Sequence, residues 1–486
     1  MLTQIANEDS RLSFWLRVRE FAVPASMIET ATARRRVGDW AGACAAAGID
    51  VDLDLRAVAR VHGRAFVSRL RADLRHLAPD LLRWHLPRVA PDGLLRPGLT
   101  VSLARYDVDI GVCGRDDTRW PVHLVVRTPP AWADAGQRFS LALWDASGSV
   151  AGDRRHPHPR PDRRFRLDLH RHLWDARRAG ELRVRCGADR PPGDDPPALD
   201  SSAPDPPARD TELPGHGCAV DRWVAEAGIV LRAEGRTTGP VLVRLGSGRR
   251  LVLDPAGGRE LHDGRPVLRR ATGCVSALPV LPDAATWVLP DLELLRTGAI
   301  EAERLHPLVA SALVPEYAVP EFRVPDQPVP EHAAPGPGLV PDRAGRARLV
   351  ECRGATHRIG LVDGVLAPLD HDPAEIRREE LLAALTGTPL PCLQAIDRAH
   401  RRPDCLVGVR ERLVHGDVAG ALAVVEGLLG PEAVLRDGAL RDELEAAAQR
   451  RITYGLFRAG LISPGPGQDR RRPGHMRAHP RHGIPR

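Results

Sequence analysis

The residues with the most chemical potential sit together in one stretch. It reads Arg154-Arg155-His156-Pro157-His158-Pro159-Arg160, then Arg163-Arg164-Phe165-Arg166-Leu167-Asp168-Leu169-His170-Arg171-His172. Side chains alternate across a β-strand. A strand over 164–172 would therefore project Arg164, Arg166, Asp168, His170 and His172 from one face. Asp168-x-His170-x-His172 is a spacing that a divalent metal such as zinc could use, with His156 or His158 as a further ligand from the preceding loop. The surrounding charge points elsewhere. A dense arginine field repels a divalent cation and attracts an anion. Guanidinium forks also match phosphate and carboxylate. Arg154, Arg155, Arg160, Arg163, Arg164 and Arg166 are thus candidates for an anion- or nucleic-acid-binding surface. The plainest expectation is a solvated sheet face on which Asp168 pairs with a neighbouring arginine.

A second constellation joins Cys352 with His357 or His371, flanked by Asp370 and Asp372. A cysteine nucleophile needs a histidine within hydrogen-bond reach and a third group to orient it. Spacing does not establish that reach, and Cys352 in an alternating run reads as a core thiol. Asp372-Pro373-Ala374-Glu375 is a helix start, with N-cap, proline at N1 and an acid after it, which accounts for Asp372.

Composition closes several routes. The chain has 486 residues, 43% hydrophobic and 27% charged, with 45 glycines and 45 prolines. All 69 of its Lys+Arg residues are arginine. A Walker-A phosphate loop, a protein-kinase strand lysine and Schiff-base catalysis are excluded in their usual forms. The 8 cysteines are scattered singly without a Cys-x-x-Cys. That argues against a zinc ribbon or a thioredoxin-type pair. With no signal-peptide pattern and no long apolar run, the thiols read as reduced and the chain as cytoplasmic, without a membrane span. Aromatics at 4% provide poorly for base stacking.

The elements that must position these residues follow from pattern. The net charge of +6 is uneven. The first 187 residues and the tail are basic, and the stretch between is acidic overall, which suggests an anionic partner for the basic part. Residues 1–97 read as a helical region. Phe66, Leu70, Leu74, Leu77 and Leu81 share one helix face, Pro79 starts a new turn, and Gly38-Asp39 is a stop followed by an N-cap. Residues 98–187 switch to period two. Five alternating runs, at Leu99–Leu103, Val122–Val126, Phe139–Leu143, Phe165–Leu169 and Leu182–Cys186, predict an antiparallel sheet or sandwich with one wet face.

Residues 188–214 are an acidic, proline-rich linker. Residues 215–313 form a mixed α+β module, with a hairpin around Gly246-Ser247-Gly248 and a short helix that Asp291 opens after Pro290 and Gly298 should stop. Residues 314–346 open with Val-Pro-Glu/Asp units at Val314, Val319, Val324 and Val329, a stiff extended spacer. Residues 347–460 hold a β-hairpin turning at Asp363-Gly364, then helices. Residues 461–486 are a basic, disordered tail.

Gly38-Asp39-Trp40-Ala41-Gly42-Ala43 and Gly416-Asp417-Val418-Ala419-Gly420-Ala421 match each other. Both are similar to tetratricopeptide-type helical hairpins, a resemblance that implies protein interaction and covers about ten residues twice, without a tandem array.

The fold expected is α+β multidomain: a helical region, an antiparallel β sheet or sandwich, a mixed module, and a C-terminal hairpin plus helices. No complete catalytic set is present, so the sequence leans against an enzyme. It predicts a cytoplasmic interaction or scaffold protein with protein partners. The alternatives are an anion or nucleic-acid accessory using 154–172, and a metal-dependent enzyme using Asp168, His170 and His172. No cofactor follows from the sequence beyond that one divalent-metal candidate.

Overall fold

The computed structural model describes residues 8–107, 121–145, 156–189, 217–255, 267–314, 316, 348–387 and 389–462. The linker 188–214, the Val-Pro-Glu repeat, the tail, Arg154 and Arg155 lie wholly or almost wholly outside them. The architecture is α+β, with several separate sheets. The described residues divide into two compact units. One holds those up to Trp132 and from Arg138 to Glu316; the other holds those from Arg348 to Ile462, with Ala133–Gln137.

The first unit opens with helices α1 (Glu8–Arg17), α2 (Ala25–Arg36) and α3 (Trp40–Ala46), then strand β1 (Ile49–Asp52). Asp39 caps α3 by accepting from Gly42 N–H at 2.8 Å. Helix α4 (Leu55–His76) bends at Gly63, whose φ of 84° interrupts the ladder. It buries Phe66, Leu70 and Leu74, and α5 (Pro79–His85) carries Leu81 onward after Pro79, as the apolar spacing requires. A short ribbon of β2 (Arg88–Val89) and β3 (Leu94–Leu95) follows.

Strands β4 (Thr100–Tyr106), β5 (Val122–Arg127) and β6 (Phe139–Asp145) pair antiparallel. The sheet order is β1-β6-β5-β4, and β1 joins in parallel, Ile49 opposite Phe139. Three of the five alternating runs are therefore strands, in a mixed sheet. The expected wet face is absent from its middle. Leu124, Val125 and Val126 are consecutive in β5 and all buried, so both faces are covered. Residues 1–97 and 98–187, expected as separate regions, share this sheet and one core, in which Trp15, Trp84, Phe139 and Trp174 are buried together.

The other two runs are not strands. Leu167–Leu169 and Arg171–Leu173 are 3₁₀ turns, and Leu182–Arg185 is helix α6. A strand needs a neighbour's ladder, and the segment 164–172 meets β4 through a single bridge, Ser102 to Arg166.

A second core in the first unit is built by α7 (Val220–Ala233) against β7 (Val241–Arg244), β8 (Arg250–Asp254) and β9 (Val267–Arg270). It buries Trp223, Leu231, Val243 and Leu253. The hairpin at Gly246-Ser247-Gly248 is where expected. After α8 (Asp283–Thr286), helices α9 (Pro290–Arg296) and α10 (Pro307–Leu313) return to the first core through Leu294 and Val309. Buried polar contacts accompany them. Trp84 Nε1 donates to Asp291 Oδ2 at 2.8 Å, and His306 Nε2 lies 2.9 Å from Asp80 Oδ2 while its Nδ1 accepts from Leu308 N–H.

The second unit begins with the antiparallel sheet β10 (Arg348–Cys352), β11 (Ala355–Val362) and β12 (Val365–Pro368). Asp363 and Gly364 turn it with φ of 51° and 75°, as a two-residue hairpin loop requires. Helices α11 (Pro373–Thr386), α12 (Pro391–Arg401), α13 (Leu406–His415), α14 (Val418–Leu429) and α15 (Ala439–Ala459) follow. Val409, Leu413, Ala421, Leu429 and Leu440 pack together. Asp417 caps α14 as Asp39 caps α3, accepting from Gly420 N–H at 2.9 Å. Among the described residues no helix is long and apolar enough to cross a membrane.

Candidate functional site

The Arg/His stretch of the first unit is knitted into the fold. His156 is buried; its Nε2 lies 2.9 Å from Thr128 O and its Nδ1 accepts from His158 N–H at 3.2 Å. Burial lowers its pKa, and the ring ties the segment 156–158 to the chain just after β5. His158 and Arg160 are exposed. Arg163 donates to the backbone oxygens of Ser276 and Leu278 at 3.0 and 2.7 Å. Arg164 is buried against Asp283. Burial raises the Asp283 carboxyl above its usual range against the opposing pull of Arg164. Arg166 forks onto both oxygens of Asp168, at 2.9 and 2.7 Å. The expected pairing of Asp168 with a neighbouring arginine is present, with the aspartate buried rather than solvated.

His170 does not share a face with Asp168 for ligation. Its Nδ1 lies 3.0 Å from Arg166 O and its Nε2 3.2 Å from Glu226 Oε2. Glu226 on α7 also receives two hydrogen bonds from Arg185, both 2.7 Å. Burial pushes that carboxyl up, but His170 and Arg185 outweigh burial and hold it at about 2. His172 is buried, its ring 5.8 Å from that of His170, and burial holds its pKa well below the ordinary value. These side chains join α7 and the segment 166–185 by charge. Asp168 is taken by the Arg166 guanidinium, His170 by Arg166 O and Glu226, and His172 is buried, and the three do not bring their donor atoms together as a metal group.

Soft donors converge in the second unit instead. Among the described residues, one group of three His, Cys or acidic side chains brings its donor atoms within 4.8 Å of one another: Cys352, His371 and Cys392. Cys352 ends β10, just before a tight turn in which Arg353 and Gly354 have φ of 54° and 80°. His371 lies between β12 and α11, and Cys392 is in the first turn of α12. Both cysteines are fully buried, beside Ile359, Leu390 and Ile396. The His371 side chain is 3% exposed, its Nδ1 is 3.4 Å from Glu375 Oε2, and its Nε2 has no hydrogen-bond partner. The His357 ring stacks on that of His371 with centroids 4.2 Å apart, and its buried Nδ1 also lacks a partner. Burial, with Cys352 alongside, raises the Cys392 thiol to about 11.

Of the acids flanking this group, Asp370 is held at about 2 by hydrogen bonds from Arg358. Asp372 caps α11 by accepting from Ala374 N–H at 2.7 Å. Neither orients a histidine toward Cys352. Sequence reasoning brought Cys352 and the two histidines together but missed Cys392. The available signal was that cysteines and histidines recur within one short domain, Cys352, His357, His371 and Cys392 among them. No local motif marks the last, since it arrives from a separate helix.

No protein-family model, curated protein or solved structure matches the chain.

Proposed function

We propose that this is a non-catalytic, cytoplasmic interaction protein whose second unit docks onto an apolar surface of a protein partner through α11. One observation carries the reading. Leu381 and Leu385 are one turn apart on α11, 71% and 85% exposed, and no residue of α11 from Pro373 to Leu385 is buried. A helix of this length gains most of its stability from burying an apolar stripe.

The orientation of that stripe is set by charge. Glu375 and Glu379, also one turn apart, both pair with Arg353 at the β10–β11 turn. They tie a different side of α11 to the sheet and leave the leucines facing outward. Leu349 on β10 and Val407 on α13 are exposed as well, at 65% and 66%. Exposed large apolar side chains mark protein interfaces where they gather on one face, as Leu381 and Leu385 do on α11. The partner this chemistry fits is a protein segment with its own apolar face, such as an amphipathic helix laid along α11. The described cysteines are all free thiols, in keeping with a reducing compartment.

The test places a photo-crosslinking residue at Leu385 of the full chain in its host cells. One defined protein should be captured, and capture should be lost in Leu381→Glu and retained in Val61→Glu, an exposed site of the first unit. Indiscriminate capture, no capture, or capture untouched by Leu381→Glu would overturn the reading.

A further inference from the structure

Three observations on the Cys352 cluster are independent of one another. The donors converge: two thiols and an imidazole lie within 4.8 Å. Two polar atoms of the histidines stacked there are orphaned: His371 Nε2 and His357 Nδ1 are buried without hydrogen-bond partners. Such atoms cost stability unless something satisfies them. A carboxylate stands behind the imidazole: Glu375 Oε2 lies 3.4 Å from His371 Nδ1. A proton held on Nδ1 by a carboxylate leaves the lone pair of Nε2 free to bind a metal.

We propose that the second unit binds one zinc(II) ion through Sγ of Cys352, Sγ of Cys392 and Nε2 of His371. Two thiolates and an imidazole select zinc over magnesium or calcium, which take oxygen ligands. The elements are arranged for it. Cys352 lies at the tight turn between two strands, and Cys392 lies in the first turn of α12, where the helix dipole favours a thiolate. On binding, the two thiols release their protons to solvent and the dication compensates both new charges. His357 stacks on His371, with its own nitrogens outside the group of three converging donors.

The role is structural. The donors come from the sheet, the loop before α11 and the start of α12, and the surrounding residues are core aliphatics. An ion here would clamp three elements that share only a small apolar cluster. Structural zinc contributes its binding free energy to folding.

The experiment uses the full chain, purified under reducing conditions without chelator, with zinc measured by plasma mass spectrometry. About one zinc per chain is expected, falling below about a tenth in Cys392→Ser and in His371→Ala, and unchanged in Cys405→Ser. Those variants could fail to fold, so cobalt(II) reconstitution of the wild-type chain gives a second readout. Thiolate-to-cobalt charge-transfer absorption and intense tetrahedral d–d bands are expected. Absence of stoichiometric zinc and of the cobalt bands would overturn the site. So would zinc retained in folded Cys392→Ser, or a Cys352–Cys392 disulfide found in place of the metal.

Discussion

Glu226 offers the sharpest test of how the first unit is held together. The perturbation is Glu226→Gln, which keeps the shape and removes the charge. The carboxylate is 2% exposed and Arg185 15% exposed, so solvent screens the pair little. A carboxyl with an ordinary value of 4.5 that sits at about 2 in the fold is favoured in its charged form by about 3 kcal/mol. Breaking a buried pair by removing one partner costs about 3–5 kcal/mol in general, which agrees. Urea unfolding of both proteins should therefore differ by about 3 kcal/mol at pH 7. The group's value is lower folded than unfolded, so its contribution is complete above about 4.5 and declines as the pH falls toward about 2. The two proteins should thus converge in acid. Hydrogen exchange should show the loss first in α7, which carries Glu226. A difference below about 1 kcal/mol at pH 7, or one that stays constant as pH falls, would refute the assignment of Glu226 as the charged tie between α7 and the segment 166–185.

Other predictions concern caps, histidines and the donor cluster. Asp39→Ala and Asp417→Ala should each cost about 1 kcal/mol in thermal or urea unfolding, because each cap satisfies a helix N–H. Gly42→Ala and Gly420→Ala should cost at least as much, since a Cβ would lie 2.1 and 2.2 Å from Oδ2 of the capping carboxylates Asp39 and Asp417 and push them off the helix N–H. Equal stability of these alanine variants and wild type would count against the shared cap. His123 should titrate near 4 by NMR, because burial outweighs the attraction of Asp168. Its folded value lies below the ordinary 6.5, so stability should fall as pH drops from about 6.5 toward 4, and a normal titration would contradict this. Glu375→Gln should weaken zinc binding about tenfold in a chelator competition, by releasing His371 Nδ1. An unchanged affinity would remove Glu375 from that role.

Interactions between near neighbours were legible in the sequence. Gly38-Asp39, Gly416-Asp417 and Asp372-Pro373 are helix starts because a side-chain oxygen reaches an N–H two or three residues on. Asp363-Gly364 is a turn because the two residues tolerate positive φ. Alternation identified β4, β5 and β6 for the same reason: their partners lie in adjacent hairpin strands. It failed at 164–172 because an apolar alternation records which residues are buried, not what buries them. There the polar side chains are claimed by remote residues, Arg164 by Asp283 and His170 by Glu226.

Tertiary structure alone decided three things. It joined β1 in parallel to β6, across most of the N-terminal part of the chain. It drew Arg164 and Arg166, from a basic stretch that read as an anion surface, into ion pairs with Asp283 and Asp168, while Arg163 bonds backbone oxygens and stays exposed with His158 and Arg160. And it brought Cys392 to Cys352 and His371. Composition and spacing determined which donors the chain possesses and that none is a lysine. Which of them meet depends on packing contacts between distant segments, and a linear pattern carries no term for those.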